Sequence, residues 1–166
     1  MGGASCPDAD RQKMKPPVGS HNLRRGRGSI KNQVYFVTTA VHERVPLFLD
    51  PRAASAVLDA LKWLDQAGKM ILDAAVLMPD HLHVVFALKT GSLPQVMHSL
   101  KSYTAKQVKT ILAREGAVWQ EQYYDHAVRK SENLIEVVLY MLNNPVRSGL
   151  VKDFHDYPFW WSRWEV

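Results

Sequence analysis

The chain has 166 residues, 46% of them apolar, with a formal net charge of +5 and a single cysteine, Cys6. That length and composition suit one domain with a full core and exclude a disordered chain or two good domains. One cysteine excludes a disulfide framework or a thiolate zinc site and points to the cytoplasm. No apolar run approaches the roughly 18 residues of a membrane span, and a signal-peptide core is missing, so no membrane partner is expected.

Residues 1–33 are rich in Gly, Pro and Ser and lack apolar periodicity, which predicts a flexible arm ahead of a single domain over 34–166. The arm carries Arg11, Lys13, Lys15, Arg24, Arg25, Arg27 and Lys31 against only Asp8 and Asp10. With a pI near 9.4, this favours a polyanion, nucleic acid before membrane surface. Arg24, Arg25 and Arg27 are the residues expected to order on phosphates. The start Met1 to Cys6 misses a myristoylation signal, because Cys6 stands where Ser or Thr is needed.

A first strand is predicted over Val34 to Val41, rich in Val, Tyr, Phe and Thr. A helix follows Asp50, a good N-cap ahead of Pro51, with Ala54, Val57, Leu58, Leu61 and Leu64 at helical spacing and Gly68 at its end. Strand two runs Lys69 to Leu77 and strand three His81 to Leu88, joined at Met78-Pro79-Asp80 as a hairpin. A second helix over Leu93 to Ala113 turns Val96, Leu100, Tyr103, Val108, Ile111 and Leu112 inward. It carries Lys101, Lys106 and Lys109 on its polar side, either a solvated face or a grip on phosphates. Strand four spans Trp119 to Arg129. A third helix, capped by Ser131, ends near Asn143.

The order β-α-β-β-α-β plus a helix predicts an α+β fold. It is the ferredoxin-like split βαβ, a four- to five-stranded antiparallel sheet with packed helices and an extra C-terminal helix.

On strand three, alternate side chains share a face, so His81 and His83 point one way with Cβ atoms roughly 6.5–7 Å apart. Two imidazoles at that spacing can converge on one metal ion, or be ordinary strand histidines. Leu82, Val84, Phe86 and Leu88 line the opposite face and must pack on something. On the last helix Tyr140 and Asn144 stand four residues apart. Tyr140 could be an ordinary half-buried tyrosine. Asn144 could simply end the helix before Pro145.

Four blocks occur in order: Pro79-Asp80-His81-Leu82-His83; Trp119-Gln120 with Asp125-His126-Ala127-Val128-Arg129; Tyr140 through Val151; and Tyr157-Pro158-Phe159-Trp160. Together they resemble the signatures of the HUH single-tyrosine transposases, and in particular the REP-associated tyrosine transposases. The resemblance covers roughly residues 30–162. It implies a Mg²⁺- or Mn²⁺-dependent nuclease and strand transferase acting on single-stranded DNA hairpins from repetitive extragenic palindromes. In it His81 and His83 would be metal ligands, Tyr140 the nucleophile, and Asn144 the amide completing the metal site, in a monomer or a homodimer. His126 lies in a matching block and reads as structural rather than ligating. The alternatives are a non-catalytic nucleic-acid binder on the same fold, and a hydrolase whose histidines activate water.

Overall fold

In the computed structural model the described residues are 28–166. Arg24, Arg25 and Arg27 therefore lie outside the described residues. The strands are β1 (Val34–Ala40), β2 (Met70–Met78), β3 (His81–Leu88), β4 (Tyr124–Ala127) and β5 (Trp160–Ser162). The helices are α1 (Pro51–Gln66), α2 (Leu93–Leu112), α3 (Leu134–Leu142) and the single turn α4 (Asn144–Arg147). The sheet order is β4-β1-β3-β2-β5, with every neighbouring pair antiparallel. Its first four strands have the split βαβ arrangement expected from the sequence, and β5 adds a short edge strand beside β2.

Local chemistry sets the helix boundaries. Asp50 Oδ1 accepts from the Arg52 N–H at 2.9 Å, and Pro51 occupies the first turn of α1. Ser92 and Gln95 form a reciprocal capping box at the start of α2. Three sequence expectations need correction. Tyr103, expected inward on α2, is instead 56% exposed, off the stripe formed by Val96, Leu100 and Val108. The cap of α3 is Asn133, not Ser131: its side chain accepts from the Ile135 N–H at 3.1 Å, two residues further on. The fourth strand is also shorter than Trp119 to Arg129. Trp119 makes an isolated bridge to Val41, and the regular ladder with β1 spans Tyr124–Ala127, with single backbone bonds from Gln120 and Val128 to Ala40 and Val34 beyond it.

The sheet is covered on both faces. On one, Val37, Leu72, Leu77, Leu82, Val84 and Phe86 pack with Val57 and Leu61 of α1 and Val96, Leu100 and Val108 of α2. On the other, Ala74, Val76, Met78 and Val85 pack with Val138, Met141 and Leu142 of α3 and with Phe154 and Tyr157. A strand buried on both faces reads as a continuous apolar run, which is why Ala74 through Met78 show no polar alternation. A β-bulge at Asp73 shifts the register between Leu72 and Ala74. Leu72 before it and Leu77 after it thereby serve the same core despite their odd separation.

Arg163 secures that bulge. Its backbone N–H bonds Asp73 O at 2.8 Å, its Nε bonds Leu72 O at 2.8 Å, and its Nη2 bonds Asp65 Oδ2 of α1 at 2.8 Å. Asp73 itself is buried, only 5% exposed. Burial, with the Asp65 charge adding and Arg163 opposing, pushes it up to about 6. A carboxyl whose folded value lies above its ordinary 3.8 costs stability once ionised. Asp73→Asn should therefore raise unfolding free energy by about 2–3 kcal/mol at pH 7.5, with the gain shrinking to nothing below about pH 4. Urea melts of both proteins at the two pH values check this.

Candidate metal centre and tyrosine site

His81 and His83 stand on the face covered by α3, since the register pairs them with Met78, Val76 and Thr38. The turn before them is clamped from outside the hairpin: Asp80 O accepts from the Val41 N–H at 2.8 Å, and Pro79 O from the Phe48 N–H at 3.0 Å. The two Nε2 atoms approach to 3.0 Å, with the rings nearly perpendicular at 88°. Each outer nitrogen is held. His81 Nδ1 bonds Asp80 Oδ1 at 2.5 Å, and His83 Nδ1 meets Thr38 Oγ1 at 2.7 Å.

These partners decide the tautomers. A carboxylate only accepts, so His81 carries its proton on Nδ1 and presents a bare Nε2. Without a cation, His83 donates from Nε2 to that lone pair while the Thr38 hydroxyl donates to Nδ1. With one, the hydroxyl turns to accept from Nδ1–H and both Nε2 lone pairs face the ion. A threonine hydroxyl serves both arrangements; a purely accepting or donating group would serve one.

Burial is the main cause lowering the pKa of both histidines. The Asp80 hydrogen bond opposes it at His81. At His83 the charges of His81, Arg147 and Arg44 add to burial and bring the value to about 3. Both rings are neutral at pH 7, as ligands must be. Among the described residues no group of three or more His, Cys, Asp or Glu could hold a metal ion, so no third side chain of these types completes the pair there.

Tyr140 and Asn144 meet around Arg147 rather than along one continuous helix. The break falls at Asn143, and Asn144 opens α4 with Pro145 in its first turn. The Arg147 guanidinium lies 3.9 Å from the centroid of the Tyr140 ring, and its Nη1 donates to Tyr140 O at 3.2 Å. Its Nη2 donates to Asn144 Oδ1 at 2.7 Å, while Asn144 Nδ2 donates to Met141 O at 2.7 Å. Tyr140 remains 48% exposed. At such a site a cation–π contact is worth about 0.5–1 kcal/mol.

Sequence reasoning gave Arg147 no role. Its signal is the i, i+7 and i, i+3 spacing to Tyr140 and Asn144 across the proline break. Tyr124, opposite Thr38 in the register, stands on the histidine face. Tyr123 and Trp161 are partly buried against the core. His126 Nε2 lies 3.1 Å from both oxygens of Glu132, a structural tie into the segment before α3. Glu136 Oε1 accepts from Asn133 Nδ2 at 3.2 Å at the start of α3.

The α2 lysines divide. Lys101 Nζ donates to Gln120 O at 2.6 Å and Glu121 O at 2.8 Å, bracing the loop before β4. Lys106 is exposed. Lys106 and Lys109 stand on the helix that covers the sheet face away from the histidines.

Residues 29–144 match the family model described as Transposase IS200 like. The chain belongs to that family. A REP-associated tyrosine transposase of Escherichia coli K12 is 30% identical over 88 residues, 53% of this chain and 52% of that protein. The chain thus aligns with about half the length of that relative. A Haemophilus influenzae relative named for the same group is 23% identical over 147 residues, 80% of this chain and 81% of that one. Among solved structures, a REP-associated tyrosine transposase bound to a REP hairpin superposes with a TM-score of 0.66 at 25% identity, covering 81% of this chain and 79% of that one. The family match and the superposition bear out the transposase resemblance and the α+β fold expected from the sequence. No helix of the described residues is long and apolar enough to cross a membrane.

Lys101 offers a direct check on the division of the α2 lysines. Lys101→Ala should cost about 1–2 kcal/mol of stability, because two carbonyls lose a charged donor. Lys106→Ala should stay within about 0.5 kcal/mol. Chemical denaturation of the two variants separates them.

Proposed function

We propose that this chain nicks and rejoins single-stranded DNA next to a REP-type hairpin, through a 5′-phosphotyrosine on Tyr140 and with a Mg²⁺ or Mn²⁺ ion at His81 and His83. The observation that carries this reading is the 3.0 Å approach of two neutral imidazole nitrogens whose outer nitrogens are both anchored. Two nitrogen ligands at about 2.1 Å from one ion, subtending about 90°, would stand about 3.0 Å apart, so the pair fits an octahedral ion. The amide oxygen of Asn144 suits the same ion. Two imidazoles and an amide are a mild set for a hard cation. Phosphate oxygens would complete it, and metal should bind poorly without DNA. The ion would supply charge neutralisation at the phosphodiester.

The chain's own residues do the rest. Asp80 and Thr38 orient the two rings. The Tyr140 oxygen attacks phosphorus as its proton leaves. The P–O bond to the 3′ oxygen breaks, and that oxygen leaves as a hydroxyl. One phosphodiester becomes another, so the bond energy is kept and the same or another 3′-hydroxyl can reverse the step, joining strands without ATP. A phenol is a weak nucleophile at neutral pH, which is why the reaction needs the neighbouring positive charge. Such a substrate places the protein in the cytoplasm, at the nucleoid. The hairpin bound by the similar solved structure supports this substrate class.

Incubation with an end-labelled hairpin carrying a single-stranded flank, in Mn²⁺ or Mg²⁺, should give a denaturation-stable protein–DNA adduct. Tyr140→Phe and chelator should each abolish it, while hairpin binding survives the tyrosine change. Cleavage without an adduct would point instead to water as the nucleophile. Thr38→Val, which cannot accept from His83 Nδ1–H, should weaken Mn²⁺ affinity in the presence of DNA by about tenfold, read by paramagnetic resonance of the free ion.

Removing residues 1–27 deletes Arg11, Lys13, Lys15, Arg24, Arg25 and Arg27. Each of these that meets a phosphate contributes about 0.7–0.9 to the slope of log affinity against log salt. Truncation should therefore flatten that slope by several units, measured by fluorescence anisotropy between low and moderate salt.

A further inference from the structure

Arg147 joins the two chain segments that the proposed chemistry needs. Its guanidinium covers the Tyr140 ring at 3.9 Å and bonds Asn144 Oδ1 at 2.7 Å. That oxygen is the atom by which Asn144 would reach a cation, so a divalent ion must compete for it with a fixed positive charge. Asn144 and Arg147 follow directly on α3, whose Val138, Met141 and Leu142 pack with Val76 and Met78, the register partners of His83 and His81. Arg147 is also exposed, so an incoming strand can meet it.

We propose that Arg147 is a latch released by phosphate, a positioning residue that holds Tyr140 and Asn144 in reserve until a phosphodiester enters. This rests on the function proposed above and deepens it. The exchange follows from donor–acceptor strength. A guanidinium bonded to a neutral amide oxygen and to the Tyr140 carbonyl, and resting on a phenol face, makes three modest contacts. A phosphodiester offers it charged oxygens in the bidentate geometry that its planar fork matches. Once the guanidinium turns to the strand, Asn144 Oδ1 is free to ligate and the face of Tyr140 is uncovered. Metal assembly and nucleophile release are thereby tied to the arrival of the reacting group. No bond is made or broken in the latch itself.

The test uses the whole chain and Mn²⁺, first without DNA. Arg147→Met keeps the apolar stem and removes the fork. It should bind Mn²⁺ about 3–10-fold more tightly than wild type, because Asn144 is released. In an Asn144→Ala background the same change should alter affinity by less than about twofold. Unchanged affinity in Arg147→Met, or an equal gain in both backgrounds, overturns the latch; the second result would make Arg147 a background charge only. With a labelled hairpin, Arg147→Met should need about tenfold more DNA to reach half its maximal adduct rate, and Arg147→Lys should recover part of the loss through its charge. Wild-type DNA dependence in Arg147→Met likewise overturns it. Failure of the tyrosine chemistry reads differently: no adduct forms even in wild type, while the Mn²⁺ cycle still reports on the latch.

Discussion

The site depends on the register of one strand. Because side chains alternate along β3, His81 and His83 reach the α3 face only while Leu82, Val84 and Phe86 reach the α1–α2 core. A slip of one residue would drive both imidazoles into that core and expose three large apolar side chains, at a cost of several kcal/mol. The core thus enforces the pairing of the histidines without touching them. The clamp on Pro79 and Asp80, from Phe48 and Val41, fixes where the strand starts. The Asp73 bulge lets β2 keep apolar contacts on both faces beside it.

Burial then sets their chemistry. Two protonated imidazoles could not approach to 3.0 Å, and the enclosure that lowers both pKa values removes that conflict at neutral pH. The result is a preorganised pair whose only adjustment on meeting a cation is a proton shift within His83 and a rotation of the Thr38 hydroxyl. By contrast, the tyrosine side is loosely built. Tyr140 is half exposed, and α3 hands over to α4 through a proline break two residues later. Under the proposed function, an anchored imidazole pair and a half-exposed tyrosine beside a helix break would suit a reaction in which the tyrosine must come to the phosphate and later leave it.

Much of the fold was legible in the sequence, because long periodic segments carry strong signals. The Asp50-Pro51 start of α1, the α2 stripe, the β2–β3 hairpin and the shared face of the two histidines all follow from residue spacing. What escaped was settled by contacts between distant segments. Lys101 looked like part of a basic face, but its ammonium is claimed by two carbonyls some twenty residues away. Ser131 looked like a cap, but the Asn133 side chain wins that position through its bond to Ile135. Arg147 escaped because the break at Pro145 interrupts the helix across which its spacing to Tyr140 would have been read.

Charge separates grip from chemistry. Residues 34–166 hold fourteen Lys and Arg and fourteen Asp and Glu, so the whole formal charge of +5 resides in residues 1–33. The sheet domain offers no net attraction for a polyanion. Yet residues 28–33 attach far from the histidines. Asn32 and Gln33 bond Leu88 at the distal end of β3, and Ser29 accepts from Leu93 at the start of α2. At about 3.3 Å per residue, seven steps of β3 separate Leu88 from His81 by about 23 Å. Lys31 is the one cation of that segment among the described residues. Under the proposed function, the attraction for DNA would come from residues 1–33 and the chemistry from the near-neutral sheet domain, so salt would weaken grip without altering the geometry of the histidine pair.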